Sequence, residues 1–373
     1  MIYFTILSKI SRPLHSFNPP RKPYRAMKQP SDATPGHPQE VTMCTAITYK
    51  TRHHYFGRNL DLEYSYNETV TITPRNYEFI FRLTPPISSH YAMIGMAYVQ
   101  EDYPLYYDAT NEAGLSMAGL NFPGNAYYQP QPAKPLFLSS APLAHIAPFE
   151  FIPWVLGQCK TVKEVKKLLS RTVLTQMDFS RELPATPLHF MIADRDCSIV
   201  VEPTRAGLQI YNNPVGVLTN NPPFETQLFQ LNNYMHLSAE MPQNHFSSLL
   251  DLETYSRGMG ALGLPGDLSS QSRFIRAAFV KMNSVSEPTE SKSISQFFHI
   301  LSAVEQQRGC VHMGGNQYEI TVYSSCCNTD KGIYYYTTYD NRRITGVDMH
   351  KYDLSTKKLL SHPLAKEQQI LML

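Results

Sequence analysis

The chain has 373 residues, 42% hydrophobic and 17% charged, so it can bury a sizeable core and lacks the composition of a disordered polymer. Its 33 basic and 31 acidic side chains leave a formal net charge of +2, which gives no electrostatic case for nucleic acid or an anionic membrane as partner. No apolar run approaches the roughly 18 residues that cross a bilayer, and six cysteines are too sparse for a disulfide framework.

Residues 1–42 carry seven of the 28 prolines, and six basic side chains (Lys9, Arg12, Arg21, Lys22, Arg25, Lys28) against Asp32 and Glu40. Proline at that density prevents helices and sheet ladders, so this segment reads as a flexible extension before a domain spanning 43–373. Its apolar stretch, Ile2 to Leu7, is too short for a signal peptide and has no basic region before it. Two origins fit: a pro-segment that must be removed, or a true start of translation at Met43, the second being favoured.

From Met43 the texture changes. Thr45–Tyr49 and Tyr55–Asn59 read as a hairpin, and strands follow at Thr69–Thr73, Tyr77–Leu83 and Tyr91–Val99. A helix is expected over Phe149–Cys159. A second begins at Thr161, where Glu164 completes a capping box, and carries Val162, Val165, Leu168 and Leu169 on one face. Strands recur at Leu188–Ala193, Ser198–Glu202, Leu208–Tyr211 and Val215–Thr219. Helices follow at Gln271–Met282 and Ser293–Glu305, then strands at Tyr318–Ser324, Ile333–Tyr339 and Ile344–Asp348. Runs of strands followed by runs of helices predict segregated layers, hence α+β and not a wound parallel sheet.

Several motifs carry no chemistry. Gly258, Gly260 and Gly263 match a dinucleotide pattern, but Leu264-Pro265-Gly266-Asp267 follows where a helix must open. Asn67-Glu68-Thr69 is a chance glycosylation triplet in a chain without a secretion signal. His53 and His54 read as solvated turn residues, Tyr334 to Tyr336 as strand residues, and Cys159 and Cys197 as small core residues. Cys326 and Cys327 are neighbours in a strand, point to opposite faces and make a poor metal pair.

Met43-Cys44-Thr45 is different, because a methionine before a small residue is readily removed by an aminopeptidase. Cys44 then holds a free α-amine with a pKa near roughly 8, attached to the very residue whose thiol needs deprotonating. A nearby guanidinium such as Arg58 favours the thiolate, and a carboxylate such as Asp61 can hold and orient the ammonium. Taken alone, a Met-Cys pair with an arginine and an aspartate is weak evidence, and structural roles fit these residues better.

Six ordered blocks add weight: Met43-Cys44-Thr45, Phe56-Gly57-Arg58-Asn59-Leu60-Asp61, Ile72-Thr73-Pro74-Arg75-Asn76-Tyr77, Ala118-Gly119-Leu120-Asn121-Phe122, Val217-Leu218-Thr219-Asn220-Asn221-Pro222 and Ser272-Arg273-Phe274. Together they resemble the choloylglycine hydrolase family, which comprises bile salt hydrolases and penicillin V acylases. The resemblance runs from Met43 to about Tyr352 and is strongest to bile salt hydrolases of intestinal Gram-positive bacteria. It implies an N-terminal nucleophile hydrolase fold, a four-layer αββα sandwich of antiparallel sheets. It also implies roles. Cys44 attacks the amide carbonyl with its own amine as base and acid, Arg58 favours the thiolate, and Asp61 binds the amine. The Asn121 backbone amide and the Asn220 side chain form the oxyanion hole, and Arg273 adds positive charge. Asn220 as a turn former and Arg273 as a solvated helix residue are the plain alternatives, and Arg276 reads as structural.

The resemblance further implies conjugated bile acids of the glycocholate and taurocholate type as substrates, acyl transfer to other amines, a cytoplasmic bacterial location and a homotetramer, with no cofactor and no metal. Penicillin V acylases of the family tend to have tyrosine where this chain has Asn121. Leu62, Tyr64, Tyr66 and the segment 174–183 are the expected apolar mouth. Alternatives are a penicillin V or other N-acyl amide acylase, or a non-catalytic binding protein in which residues 1–42 stay attached. The extension is the one departure from the family pattern.

Overall fold

The computed structural model describes residues 43–131 and 143–373, so the segment 1–42, expected to be flexible, lies outside the described residues. Two antiparallel sheets dominate. The first has six strands in the order Val217–Leu218, Cys44–Lys50, His54–Leu62, Ile320–Asn328, Ile333–Thr338 and Thr345–Asp348. The second has eight: Gly207–Asn212, Ser198–Thr204, Leu188–Ala193, Ser116–Asn121, Tyr103–Asn111, Met93–Gln100, Thr69–Thr73 and Leu360–Pro363.

Successive strand residues point to opposite faces, and the sequence shows both faces of the eight-stranded sheet to be apolar. Ile94, Met96, Leu120 and Met191 face one core, shared with Ala46, Ile47 and the helices Ser270–Asn283 and Glu290–Ser302 through Phe274 and Phe297. Their neighbours Met93, Met117, Phe190 and Ile192 face a second core, completed by Trp154, Val155 and Val165 of the helices Phe151–Gln158 and Val162–Leu169. The layers are therefore helix, sheet, sheet, helix, the expected αββα sandwich. Each fully buried Phe, Ile, Leu or Met contributes about 1.5–3 kcal/mol. No helix among the described residues is long and apolar enough to cross a membrane.

Local sequence explains the elements that position the site. Thr161 caps its helix by accepting from Glu164 N at 3.2 Å, while Glu164 reaches back to Lys160 N at 2.8 Å, one residue before the expected partner. Gly57 lies where a Cβ would collide with the Ser325 carbonyl, so only glycine lets the His54–Leu62 strand approach Ile320–Asn328.

Some expectations need correction. Tyr77–Leu83 forms no strand, only a bridge between Phe79 and Ile87. Its alternating aromatics pack instead on side chains, Phe81 meeting Trp154 edge-on at 5.2 Å. Val215–Thr219 shortens to two strand residues. Tyr103–Asn111 and the helix Phe224–Gln230 carried no pattern that marked them. Cys159 is buried, but Cys197 is exposed, because Asp194 Oδ1 accepts from Asp196 N and Cys197 N and so folds a surface turn there. His54 is not solvated: it opens a buried strand and bonds Thr329 Oγ1 at 2.9 Å, and burial first of all lowers its pKa to about 4.

Candidate active site

Strand register fixes the first three residues. Cys44 pairs with Leu60 and Ala46 with Arg58, so Arg58 lies diagonal to Cys44 on the same face. Asp61 falls on the opposite face, which the helix Ser270–Asn283 covers. Two arginines thus approach Cys44 from two sides of one sheet.

Arg58 crosses between the sheets. Its Nη1 donates to Tyr107 O at 3.0 Å and Gly119 O at 2.5 Å, both on the eight-stranded sheet, and its Nε to Asn59 O at 3.3 Å. Its Nη2 has no hydrogen-bond partner among the described residues. Beneath the guanidinium Asp108 accepts from Tyr323 Oη at 2.7 Å and Tyr334 Oη at 2.8 Å. Arg273, from the helix side, donates through Nη1 to Cys44 O and Thr45 Oγ1, each at 2.6 Å, and through Nη2 to Asn220 Oδ1 at 2.8 Å. Its Nη1 is 4.0 Å from Asp61 Oδ2, and both side chains are fully buried. Arg276, three residues on, donates to Ala303 O, Pro265 O and Asp267 O, which is a structural role.

Asn220 joins these groups. Its Oδ1 also accepts from Cys44 N at 2.7 Å, and its Nδ2 donates to Asn121 O at 2.8 Å. An amide nitrogen carries two hydrogens, and the Asn121 carbonyl takes one of them. The other five expected catalytic residues, Arg58, Asp61, Asn121, Asn220 and Arg273, are therefore gathered around Cys44. Residue 43 is held as well: Asp61 N donates to Met43 O at 3.1 Å, and Met43 N donates to Glu319 Oε1 at 2.5 Å.

Electrostatics agree with the part expected of Arg58. Burial raises the Cys44 thiol pKa above its ordinary value, and Arg58 and Arg273 both pull it down against that. Burial likewise lifts Asp61 to about 7 against the pull of Arg273 and a hydrogen bond from Thr321 Oγ1 at 2.6 Å. It lifts Glu319 to about 8, helped by the neighbouring Asp61 charge. For Arg273 burial lowers the pKa, partly offset by Asp61 and Cys44. For Arg58 burial also lowers it, but Cys44, Tyr323 and Asp108 outweigh that and the net shift is upward.

The expected substrate residues are less compact. Tyr64 and Tyr66 are 50% and 38% exposed, with ring centroids 4.8 Å apart, and Leu62 packs on the core edge. An apolar cavity of about 210 Å³ lies where Phe179 and Leu183 of the expected mouth meet Tyr98, Leu105, Tyr107 and Phe149. Tyr107 links it to the centre, since its carbonyl accepts from Arg58 Nη1. Tyr107 sits at a register shift in the pairing of Met93–Gln100 with Tyr103–Asn111, and no sequence pattern announced it. Glu319, Asp108 and Tyr323 were equally silent. No group of three or more His, Cys, Asp or Glu among the described residues is placed to hold a metal ion.

Comparison with known proteins covers most of the chain. Residues 44–362 match the family model of linear amide C-N hydrolases, choloylglycine hydrolase family. A bile salt hydrolase/transferase from Lactiplantibacillus plantarum is 56% identical over 327 residues, covering 88% of this chain and 98% of that protein. One from Clostridium perfringens is 35% identical over 332 residues, covering 88% and 99%. The crystal structure of a conjugated bile acid hydrolase from Clostridium perfringens superposes with a TM-score of 0.79 at 34% identity, covering 88% of this chain and 99% of that one. A penicillin V acylase from Agrobacterium tumefaciens shares the fold, with a TM-score of 0.64 at 20% identity over 85% and 90%.

Proposed function

The chain belongs to the choloylglycine hydrolase family of linear amide C-N hydrolases, and from that premise we propose that it hydrolyses glycine- and taurine-conjugated bile salts through Cys44 at a processed N-terminus. The observation that carries the reading is the surroundings of the Cys44 nitrogen. It sits 2.7 Å from Asn220 Oδ1, beside a buried carboxylate and a buried guanidinium. Once residues 1–43 are gone, that nitrogen is an amine and can take the thiol proton. The Sγ then attacks the amide carbonyl and the C–N bond breaks. The conjugating amine leaves with the proton, and water releases the acyl group from the thioester. The second Asn220 hydrogen and the Asn121 N–H stabilise the oxyanion, and Arg58 and Arg273 supply positive charge. Acyl transfer to other amines uses the same thioester.

The apolar cavity beside Tyr107, with Leu62, Tyr64 and Tyr66, is the proposed seat of the steroid, in an enzyme assembled as a homotetramer in a bacterial cytoplasm. Intact mass and N-terminal sequencing of protein from its host, followed by product assays on glycocholate and penicillin V, test the proposal. A chain beginning at Cys44 and turning over glycocholate is the expected result. Turnover of penicillin V alone makes it an acylase, and a chain that keeps residues 1–43 and is inert supports the non-catalytic reading. Size-exclusion with light scattering and cell fractionation test the assembly and the location.

A further inference from the structure

Asn220 lies just past a strand of two residues, Val217–Leu218, so no ladder of backbone hydrogen bonds fixes it. Side chains from three other elements do. From the helix Phe224–Gln230, Gln227 Nε2 donates to Asn220 O at 2.5 Å and Pro222 O at 2.7 Å, while its Oε1 accepts from Thr219 Oγ1 at 2.9 Å. From the eight-stranded sheet, His189 Nε2 donates to Thr219 O at 2.8 Å, with its Nδ1 held 3.2 Å from Glu202 Oε1. The same Glu202 oxygen accepts from Phe224 N at 2.9 Å, at the start of the Gln227 helix. The His189 ring stacks on Phe122 at 4.2 Å, next to Asn121. From the helix Ser270–Asn283, Ser270 Oγ accepts from Asn220 N at 2.8 Å. Gln227 and His189 are fully buried and Glu202 nearly so. Buried polar side chains used this way are costly unless satisfied, and here their bonds converge on residues 219–222.

We propose that Gln227 and the His189–Glu202 pair are positioning residues that hold Asn220 at the reaction centre; this rests on Asn220 being an oxyanion donor, as argued above. Gln227→Leu removes all three bonds to the loop, and Gln227→Glu keeps the acceptor for Thr219 while losing the donor to Asn220 O. His189→Phe keeps the stack on Phe122 and loses both polar bonds. The experiment measures kcat and KM of each variant of the processed enzyme on glycocholate, alone and combined with Asn220→Ala. The expected result is a fall in kcat of about tenfold to a hundredfold with KM changed by no more than about twofold. On the Asn220→Ala background the same changes should have almost no further effect, because the group they position is gone. A fall that persists in full on that background, or one confined to KM, overturns the proposal. If Asn220→Ala alone leaves kcat unchanged, the oxyanion assignment itself fails, and that result is distinct. If Gln227→Leu does not fold, the Gln227→Glu cycle decides in the same way.

Discussion

The strand Cys44–Lys50 has two ends of opposite character. At the Cys44 end Arg58, Arg273 and Asp61 are wholly buried, and the two guanidiniums are pinned by backbone carbonyls and hydroxyls. At the Lys50 end the charges are as numerous but wet: Arg195 meets Asp330 with its side chain half exposed, and Lys50 is 3.9 Å from an almost fully exposed Asp196. That end borders an open cavity of about 410 Å³ whose lining includes Lys50, Asp194, Arg195, Asp196 and Lys281. The difference teaches that charge density does not make a reaction centre. Burial raises the energy of every charge that lacks a partner, and so holds the partnered ones in one geometry. Solvated pairs exert no such constraint.

The comparison can be broken at several points. Cys44→Ala should lower turnover by about ten-thousandfold or more, since the amine and the remaining groups have no nucleophile to serve; a steady-state assay that finds less removes Cys44 from the mechanism. Arg273→Met should destabilise the fold by about 3–5 kcal/mol, because it leaves the buried Asp61 without the opposite charge 4.0 Å away and the Cys44 carbonyl without its donor, as the midpoint of urea unfolding would show. A smaller loss would mean that the buried end is as loosely held as the exposed one.

The pH dependence sharpens the contrast. In the form that keeps Met43, obtained by blocking methionine aminopeptidase in the expression host, Asp61 and Glu319 have folded pKa values raised to about 7 and about 8, above unfolded values near 4. Between those limits the folded state binds more protons than the unfolded state, so stability present at about pH 4 should be lost as pH rises through 7 to 8. Urea midpoints at pH 4.5, 6 and 8 should fall in that order, and a flat series would place both groups in a more polar setting. The smallest effect belongs to the wet end. Arg195→Ala should change stability by no more than about 1 kcal/mol and leave kcat untouched, measured by melting and by the same assay.

How far the sequence foretold this follows from the same physics. The strands Cys44–Lys50 and His54–Leu62, the helix capped by Thr161 and the placing of five named residues around Cys44 were legible because they depend on local pattern or on short ordered motifs. Tyr77–Leu83 misled because its period of two reflects aromatic packing and not a ladder. Gln227, His189 and Glu202 were illegible, because what they do depends on contacts between segments far apart in the chain. The upward shift of the Cys44 thiol was also hidden: it comes from depth, which motif spacing does not record.

Arg58 has a last consequence. It belongs to the six-stranded sheet, but its Nη1 acceptors, Tyr107 O and Gly119 O, belong to the other. Arg273 reaches Cys44 from a position 229 residues further along the chain. A nascent polypeptide with either sheet alone therefore has a cysteine but no catalyst. Turnover should therefore appear during refolding only once the two sheets have docked, which makes it a clock for that long-range step.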